Sequence, residues 1–288
     1  MKRIGTLVML SAFTLTAFGQ KTLTAPVGSQ VTLAAVSRDE SLLRGGIGPS
    51  KWTRTGSIAE EPLALVTESG EWTSLPCTAK TPENCLKFER DYLSKPHVYT
   101  VVSADGKGAT VHSNPTTLSE CFDYSGIANY SGAAITHSAI AASSPAMFGA
   151  SVPPRPVSNQ KALAIRTLLE PEVAAKKLDS TNGIKVLSVK LEEKEFYIVQ
   201  RAFGDASDGE SHALIFGIGA VEPHRFHFLY WKQNTQDEDE RVLGTVHFNS
   251  GHDFLVTVVS DPEGHWYRVY GITEGNLTQV YAGGGSSC

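Results

Sequence analysis

The residues best suited to chemistry lie in the second half of this 288-residue chain. His247 and His252 flank a tight Asn-Ser-Gly turn, so their two imidazoles can approach each other, and Asp253 is adjacent. Two such ligands do not make a zinc site, which takes at least three protein ligands. His224 and His227 are three apart on a predicted strand and therefore point to opposite faces. The sequence thus predicts half-buried histidines at strand ends and no metal centre.

Two acidic stretches, at residues 205–210 and 237–240, offer the clustered oxygen atoms that Ca²⁺ prefers. Neither follows the spaced pattern of an EF-hand loop. Charged turns at the ends of strands also discourage edge-to-edge pairing between sheets. We therefore expect solvated turns at both places, and we assign the chain no metal and no cofactor.

Aromatic residues are concentrated after residue 225, where Phe226 and Trp231 fall on opposite faces of one predicted strand. One of these faces must belong to the core. If the other is exposed, Trp231, Trp266 and Tyr270 would form a platform on which a sugar or a peptide stacks. The alternative is that these rings are ordinary sandwich or barrel core.

No sequence motif identifies a catalytic residue: Gly-x-Ser-x-Gly, His-Glu-x-x-His and the phosphate-binding loop are all absent. We interpret the chain as a non-catalytic binding or structural protein whose partner is a protein or a glycan. The alternative is a secreted hydrolase, for example one acting on glycans. Glycosidases need only two suitably spaced carboxylates and no local motif, and Glu222, Asp253 and Asp261 are the candidates.

The first 19 residues have the pattern of a bacterial signal peptide. Lys2 and Arg3 precede the apolar stretch 4–16, and Ala17-Phe18-Gly19 offers the small residues that signal peptidase requires. The sequence therefore predicts an exported, periplasmic or extracellular protein. No later apolar run is long enough for a membrane-spanning helix, and the net charge of −5 gives no reason to expect a nucleic-acid partner.

An exported chain with four cysteines is expected to form disulfides. We favour a short loop closed by Cys77 with Cys85, and a long-range bond between Cys121 and Cys288. The alternative leaves Cys288 as a free thiol at the end of a glycine-rich tail. Four cysteines allow three pairings, so the sequence leaves the connectivity open.

The clearest secondary-structure signal in the first half is a hairpin. Residues 98–103 and 109–112 are rich in β-branched and aromatic residues, and the Asp105-Gly106 pair between them suits a tight turn. Tyr99 and Val101 are expected to share one face of this hairpin. Upstream, alternation over residues 31–37 predicts another strand, with Val31 and Leu33 on one face.

Residues 20–121 resemble a bacterial immunoglobulin-like domain. The matching features, in chain order, are VGSQVTL as the entry to a strand, Trp52 as a core tryptophan, LKF at 86–88 as a further strand, and the hairpin with Tyr99 at the tyrosine-corner position. The resemblance implies a β-sandwich whose loops or sheet faces contact partners. The chain departs from the pattern because Ala35 and Val101 occupy the positions of the inter-sheet disulfide.

The rest of the chain resembles no family that we recognise. Residues 122–156 are small, polar and proline-rich, which predicts a connection between domains. A helix is predicted over 158–179, broken at Pro171. Beyond it, eight alternating segments separated by turn residues predict an antiparallel meander, so the domain 157–288 combines one helix with a β-sandwich or barrel. The whole chain is thus predicted to be mainly β.

Overall fold

The structure, a computed structural model, describes residues 30–37, 57–67, 69–75, 82–102, 106–115, 126–135, 138–144, 148–175, 183–203, 212–233, 239–261 and 264–287. Within these residues the protein is mainly β, as the sequence predicts. Its strands form three antiparallel sheets. None of the helices described is both long enough and apolar enough to cross a membrane.

The first sheet, here called the ring sheet, is formed by the first seven strands of the chain. Its strands are β1 (Gln30–Ser37), β2 (Ser57–Thr67), β3 (Trp72–Thr73), β4 (His97–Val102), β5 (Gly108–Ser113), β6 (Gly126–Gly132) and β7 (Ala139–Ala142). Their order is β1-β7-β4-β5-β6-β2-β3, and β1 also pairs with β2. Six strands therefore form a closed ring, in which β4 and β7 meet at the single pair Thr100–Ala142.

The predicted hairpin is confirmed, because β4 and β5 pair in antiparallel register with Val98 opposite His112. Tyr99 and Val101 share the face that points into the ring, where they pack with the alternating residues Ala34 and Val36 of β1. Gly106, at the turn, has a φ of +76°, a left-handed conformation that glycine adopts without steric cost. The alternation of strand side chains thus fills the ring, as it does in small barrels.

Residues 86–88, which the sequence assigns to a strand, lie instead in helix α1 (Pro82–Phe88), which continues into a π-helical turn (Glu89–Leu93). Cys85 and Phe88 are three apart and both buried, whereas Leu86 is exposed, which is the helical period rather than the strand period. Cys85 is not a free thiol. Its predicted partner Cys77 lies outside the described residues, as do Cys121 and Cys288, so the pairing stays a prediction.

The remaining strands form two five-stranded sheets. The central sheet contains β8 (Phe148–Val152), β14 (Asp239–Phe248), β15 (Asp253–Asp261), β16 (Gly264–Thr273) and β17 (Asn276–Ser287), in the order β17-β16-β15-β14-β8. The outer sheet contains β9 (Arg155–Pro156), β10 (Lys185–Leu191), β11 (Lys194–Phe203), β12 (His212–Glu222) and β13 (Arg225–Gln233), in the order β13-β12-β11-β10-β9. The eight predicted strands are all confirmed, and they form two consecutive meanders.

The central sheet is buried on both faces. Along β15, Phe254, Val256 and Val258 pack against the ring sheet, whereas Leu255 between them packs against the outer sheet. The second half of the chain is thus a sandwich of two sheets, and the ring sheet covers the outside of that sandwich.

Helix α2 (Asn159–Ala175) covers the other face of the outer sheet. Its buried residues belong to the predicted apolar stripe: Ala162, Ile165, Leu169 and Val173. Pro171 does not break the helix, contrary to the prediction. Both Pro171 and Thr167, whose carbonyl loses its hydrogen bond to the proline, lie on the exposed side of the helix, where water can satisfy that carbonyl.

Residues 122–156 differ most from the sequence interpretation. Their described part supplies β6 and β7 to the ring, β8 to the central sheet and β9 to the outer sheet, so the predicted connection also contributes strands to all three sheets. Ala35 faces the central sheet whereas Val101 faces the ring interior, so these two positions do not oppose each other. The predicted signal peptide (1–19) and Trp52 lie outside the described residues, and the immunoglobulin-like resemblance stays a prediction.

One carboxyl group is buried inside the ring. Glu60 on β2 is 5% exposed and is hydrogen-bonded to Tyr99, whose hydroxyl lies 2.7 Å from that of Tyr92. Desolvation raises the pKa of Glu60 to about 7, and the hydrogen bond from Tyr99 offsets this only in part. The folded ring therefore favours the neutral carboxyl.

This raised pKa predicts that the protein loses stability as the pH rises. The folded state binds the Glu60 proton more tightly than the unfolded chain, so the stabilisation is complete below the unfolded pKa of 4.5 and disappears as the pH passes about 7. A shift of this size corresponds to about 3 kcal/mol. We expect the free energy of unfolding of wild type, measured in urea titrations, to fall between about pH 5 and pH 8, and Glu60→Gln should remove most of this fall.

The control is Glu170→Gln, because Glu170 is exposed on α2 and should leave the pH dependence of unfolding unchanged. If Glu60→Gln and wild type lose the same free energy of unfolding between the two pH values, the neutral carboxyl inside the ring is contradicted.

Candidate functional site

A cleft of about 450 Å³ opens where the chain crosses from the central sheet to the outer sheet. The crossing is made by Pro153 and Pro154 between β8 and β9, and neither proline can donate a ladder hydrogen bond. The edge strand β8 pairs with β14, and β9 pairs with β10, so the cleft lies beside one edge of each sheet. Its lining is Val152, Pro153, Arg155, Ser188, Val189, Lys190, Glu195, Thr245 and His247.

Strand alternation brings two side chains of β14 into this cleft. Val246 points into the core between the central and ring sheets, so its neighbours Thr245 and His247 point to the opposite face. Asp253 lies directly across the ladder from His247 and shares that face. Three polar groups of types that frequently act together in catalysis are therefore adjacent.

The imidazole of His247 is held at both nitrogen atoms. Its Nδ1 lies 2.7 Å from Oδ1 of Asp253, and its Nε2 lies 3.3 Å from the hydroxyl of Thr245. A carboxylate can only accept hydrogen bonds, so in the neutral imidazole Nδ1 carries the proton and the lone pair is on Nε2. The lone pair therefore faces the Thr245 hydroxyl.

The Asp253 carboxylate is itself fixed from the outer sheet. The backbone N–H of Glu192 donates to its Oδ2 over 2.6 Å. Glu192 and Glu193 form the two-residue turn between β10 and β11 and have φ values of 46° and 65°, which are uncommon for residues with a side chain. The hydrogen bond to Asp253 helps to hold this turn, so both carboxylate oxygens have a defined partner.

The charged side chains around the cleft differ in whether they pair with a side chain of opposite charge. Lys190 pairs with Glu193, and Glu195 pairs with Lys161 over 2.8 Å. The hydrogen bond from Lys161, followed by that from Tyr197, lowers the pKa of Glu195. The Arg155 side chain, by contrast, is exposed and has no hydrogen-bonded or ion-paired partner among the residues described.

The structure unites only part of the predicted histidine cluster. Nδ1 of His247 is hydrogen-bonded to Asp253, but His252 is exposed and its ring lies 6.4 Å from that of Phe254. In the part of the chain that the structure describes, no three histidine, cysteine or acidic residues are placed to hold a metal ion. The sequence reasoning did not single out Thr245, although its two-residue spacing from His247 predicts a shared strand face.

The three residues of the proposed aromatic platform do not share a surface. Trp231 packs on Phe228 beside α2, at a centroid distance of 4.7 Å, and so lies on the helix side of the outer sheet. Tyr270 is 1% exposed between the outer and central sheets. Trp266 is half-buried, with the Arg268 guanidinium 5.9 Å from its ring centre. Tyr270 therefore belongs to the core.

Of the two acidic stretches, residues 205–210 lie outside the described part of the chain, and only the end of the second stretch is described. Asp239 and Glu240 begin β14 and are buried, so they are not a solvated turn. Glu240 is fully buried and accepts hydrogen bonds from Arg268 (2.7 Å), Thr257 (2.8 Å) and Tyr270 (2.9 Å).

The network around Glu240 joins the two sheets of the sandwich, because Arg268 also donates to the hydroxyl of Tyr230 on the outer sheet over 3.1 Å. Burial, and then the negative charge of Glu240, raise the pKa of Tyr270 far above its usual range. The tyrosine therefore stays protonated and donates to the carboxylate.

The carboxylates that the sequence offers as a hydrolytic set do not share a site. Glu222 pairs with Arg225 at the tip of the β12–β13 hairpin, and Asp261 accepts from the backbone N–H of Gly264 in the β15–β16 turn. Only Asp253 approaches the cleft, and it does so through His247.

Comparison with known proteins identifies no relative: no protein-family model, no curated protein and no solved structure matches the chain. Any functional conclusion must therefore come from the site itself.

The buried position of Glu240 predicts a large cost for removing its cation. Arg268→Met leaves a fully buried carboxylate without a positive partner and should lower the free energy of unfolding by about 3–5 kcal/mol in denaturant titrations. The matched control is Arg225→Met, which breaks an exposed pair and should cost less than about 1 kcal/mol. Equal effects of the two substitutions would contradict a structural role for the Glu240 network.

Proposed function

We propose that this is an exported binding protein that takes a small, hydroxylated, anionic ligand into the cleft between the central and outer sheets. The observation that carries the proposal is the Arg155 guanidinium, which lines the cleft without a partner among the described residues. Guanidinium groups bind carboxylate and phosphate groups with paired, charge-assisted hydrogen bonds.

The size of the cleft supports a small molecule. Its volume of about 450 Å³ lies within the roughly 300–1,000 Å³ that is usual for ligand pockets. A protein partner would instead need a wide contact surface, on the order of 800 Å² from each side. Of the two partner classes expected from the sequence, the glycan is therefore favoured, in the form of an acidic sugar.

The chemistry of the lining supports the same ligand class. Val152 and Val189 offer apolar contact, whereas Ser188, Thr245 and His247 offer hydrogen-bonding groups that suit ligand hydroxyls. This mixture of an apolar surface with a few polar groups is typical of small-molecule sites. Arg155 would then orient the ligand by its anionic group.

Export is part of the proposal and rests on the N-terminal pattern of residues 1–19. The same compartment would allow the predicted disulfides, one of which would involve Cys85, a fully buried residue of α1. Glu222, Asp253 and Asp261 do not form the pair of facing carboxylates that a glycosidase needs, because only Asp253 approaches the cleft.

The role of Arg155 predicts selective loss of binding to acidic ligands. With glucuronate as the probe and isothermal titration calorimetry as the measurement, Arg155→Gln should weaken binding by about 10- to 100-fold, because a charged hydrogen bond contributes about 1.5–3 kcal/mol. Glucose, which lacks the carboxylate, should bind the wild-type protein as weakly as glucuronate binds the variant.

Arg225→Gln is the matched control, since Arg225 is equally an exposed arginine but lies at the tip of the β12–β13 hairpin. If Arg155→Gln binds glucuronate as tightly as wild type while Arg225→Gln binds it more weakly, the assignment of the binding site to the cleft is overturned. A wild-type protein that binds neither glucuronate, citrate nor inorganic phosphate would overturn the ligand class.

A further inference from the structure

Thr245, His247 and Asp253 form a linear chain of hydroxyl, imidazole and carboxylate at the wall of the cleft. The order of groups and the atoms through which they meet are those needed to activate a hydroxyl nucleophile. We propose that the cleft hydrolyses carboxylic esters that carry an anionic group, with Thr245 as nucleophile, His247 as general base and Asp253 as the residue that positions His247. The substrate class rests on the proposed function of Arg155, but the hydrolytic chemistry does not.

The His247 side chain is oriented in the way a general base requires. The carboxylate of Asp253 binds Nδ1, and its second oxygen is held by the N–H of Glu192, so the carboxylate and the ring have a defined orientation. The lone pair of Nε2 then points towards the Thr245 hydroxyl 3.3 Å away, a distance slightly longer than an ideal hydrogen bond. Such contacts are often loose before substrate binds.

The surroundings place the base where a substrate can reach it. The His247 side chain is 27% exposed and that of Asp253 is 14% exposed, so the imidazole meets the cleft while the carboxylate lies behind it. Thr245 also lines the cleft, although it is almost fully buried and its hydroxyl lies 3.3 Å from the carbonyl oxygen of Val152. The Thr245 hydroxyl can donate its proton either to this carbonyl oxygen or to Nε2 of His247, but only to one of them at a time.

The proposed reaction proceeds in two halves. The Thr245 oxygen attacks the ester carbonyl carbon while its proton moves to Nε2 of His247, and the resulting imidazolium returns that proton to the departing alcohol oxygen. A water molecule, deprotonated by the same nitrogen, then attacks the threonyl ester and releases the acid. The proton returns to the Thr245 oxygen, so the sum is ester plus water giving acid plus alcohol.

Two further residues have places in this reaction. Arg155 would hold the anionic group of the substrate, as in the binding proposal. Ser188 lines the same cleft, and its hydroxyl has no hydrogen-bond partner among the described residues, so it is free to donate to the oxygen that becomes negative during attack.

The first test uses the chain without the predicted signal peptide, residues 20–288. The substrates are 4-nitrophenyl succinate, an anionic ester, and 4-nitrophenyl acetate, its uncharged counterpart. Wild type should release nitrophenolate from both above the buffer rate, with the lower KM for the succinate. His247→Gln should lower kcat by about 100-fold or more. Asp253→Asn should lower kcat with KM unchanged, because the positioning residue does not touch the substrate.

The second test identifies the nucleophile. An ethyl fluorophosphonate probe should label Thr245 in the wild-type protein, with loss of fluoride, and peptide mass spectrometry should locate the label. Thr245→Val should lose both label and turnover, whereas Thr245→Ser, which retains the hydroxyl, should retain both. Thr278→Val is the control, because Thr278 bonds to Thr273 on the exposed side of β17 and should behave as wild type.

The outcomes separate this proposal from a purely structural role and from the binding proposal. If wild type releases no nitrophenolate and carries no label on Thr245, the esterase proposal is overturned, even where Thr245→Val unfolds. Arg155-dependent binding of succinate without turnover would leave the binding proposal standing alone. If both esters are hydrolysed with the same KM, the anion-binding role of Arg155 is overturned and the esterase proposal stands.

Discussion

The whole structure depends on burying both faces of the central sheet. Strands β14 to β17 present apolar residues to the ring sheet on one side and to the outer sheet on the other, so most of the central sheet is covered on both faces. Polar groups in such a layer must find partners inside the protein. Each interface contains a fully buried glutamate: Glu61 towards the ring, whose Oε2 is bound by His265 and Tyr267, and Glu240 towards the outer sheet, bound by Arg268.

The cleft follows from the same constraint. Because both faces of the central sheet are covered, functional side chains can reach solvent only where two sheet edges lie side by side and the chain passes between them through Pro153 and Pro154. His247 and Thr245 are at that edge, on the strand that pairs with β8. The Asp253 hydrogen bond to Glu192 connects the central sheet to a turn of the outer sheet, so the site and the packing of the layers are coupled.

Sequence reasoning succeeded where a local period decides the outcome. The eight C-terminal strands, the hairpin around Gly106 and the buried stripe of α2 all follow from alternation or from the 3.6-residue repeat. It failed where the partner is distant in the chain. Residues 126–132 are too small and polar to signal a strand by themselves, yet they form β6 because β2 and β5 lie on either side of them. Glu240 belongs to a predicted solvated turn, but the carboxylate is buried because Arg268, 28 positions later, compensates its negative charge.

By itself, the sequence determined the mainly-β class and the positions of most strands, because these depend on residues close together in the chain. Only the tertiary structure decided which faces are covered. It buried Tyr270 between two sheets, placed Trp231 against α2 and left the Arg155 guanidinium at the cleft with no partner among the residues that the structure describes. The physical reason is that the alternation of side chains along a strand shows only that its two faces differ. Which face meets water depends on how the sheets stack, and that stacking is set by contacts between residues more than 100 positions apart.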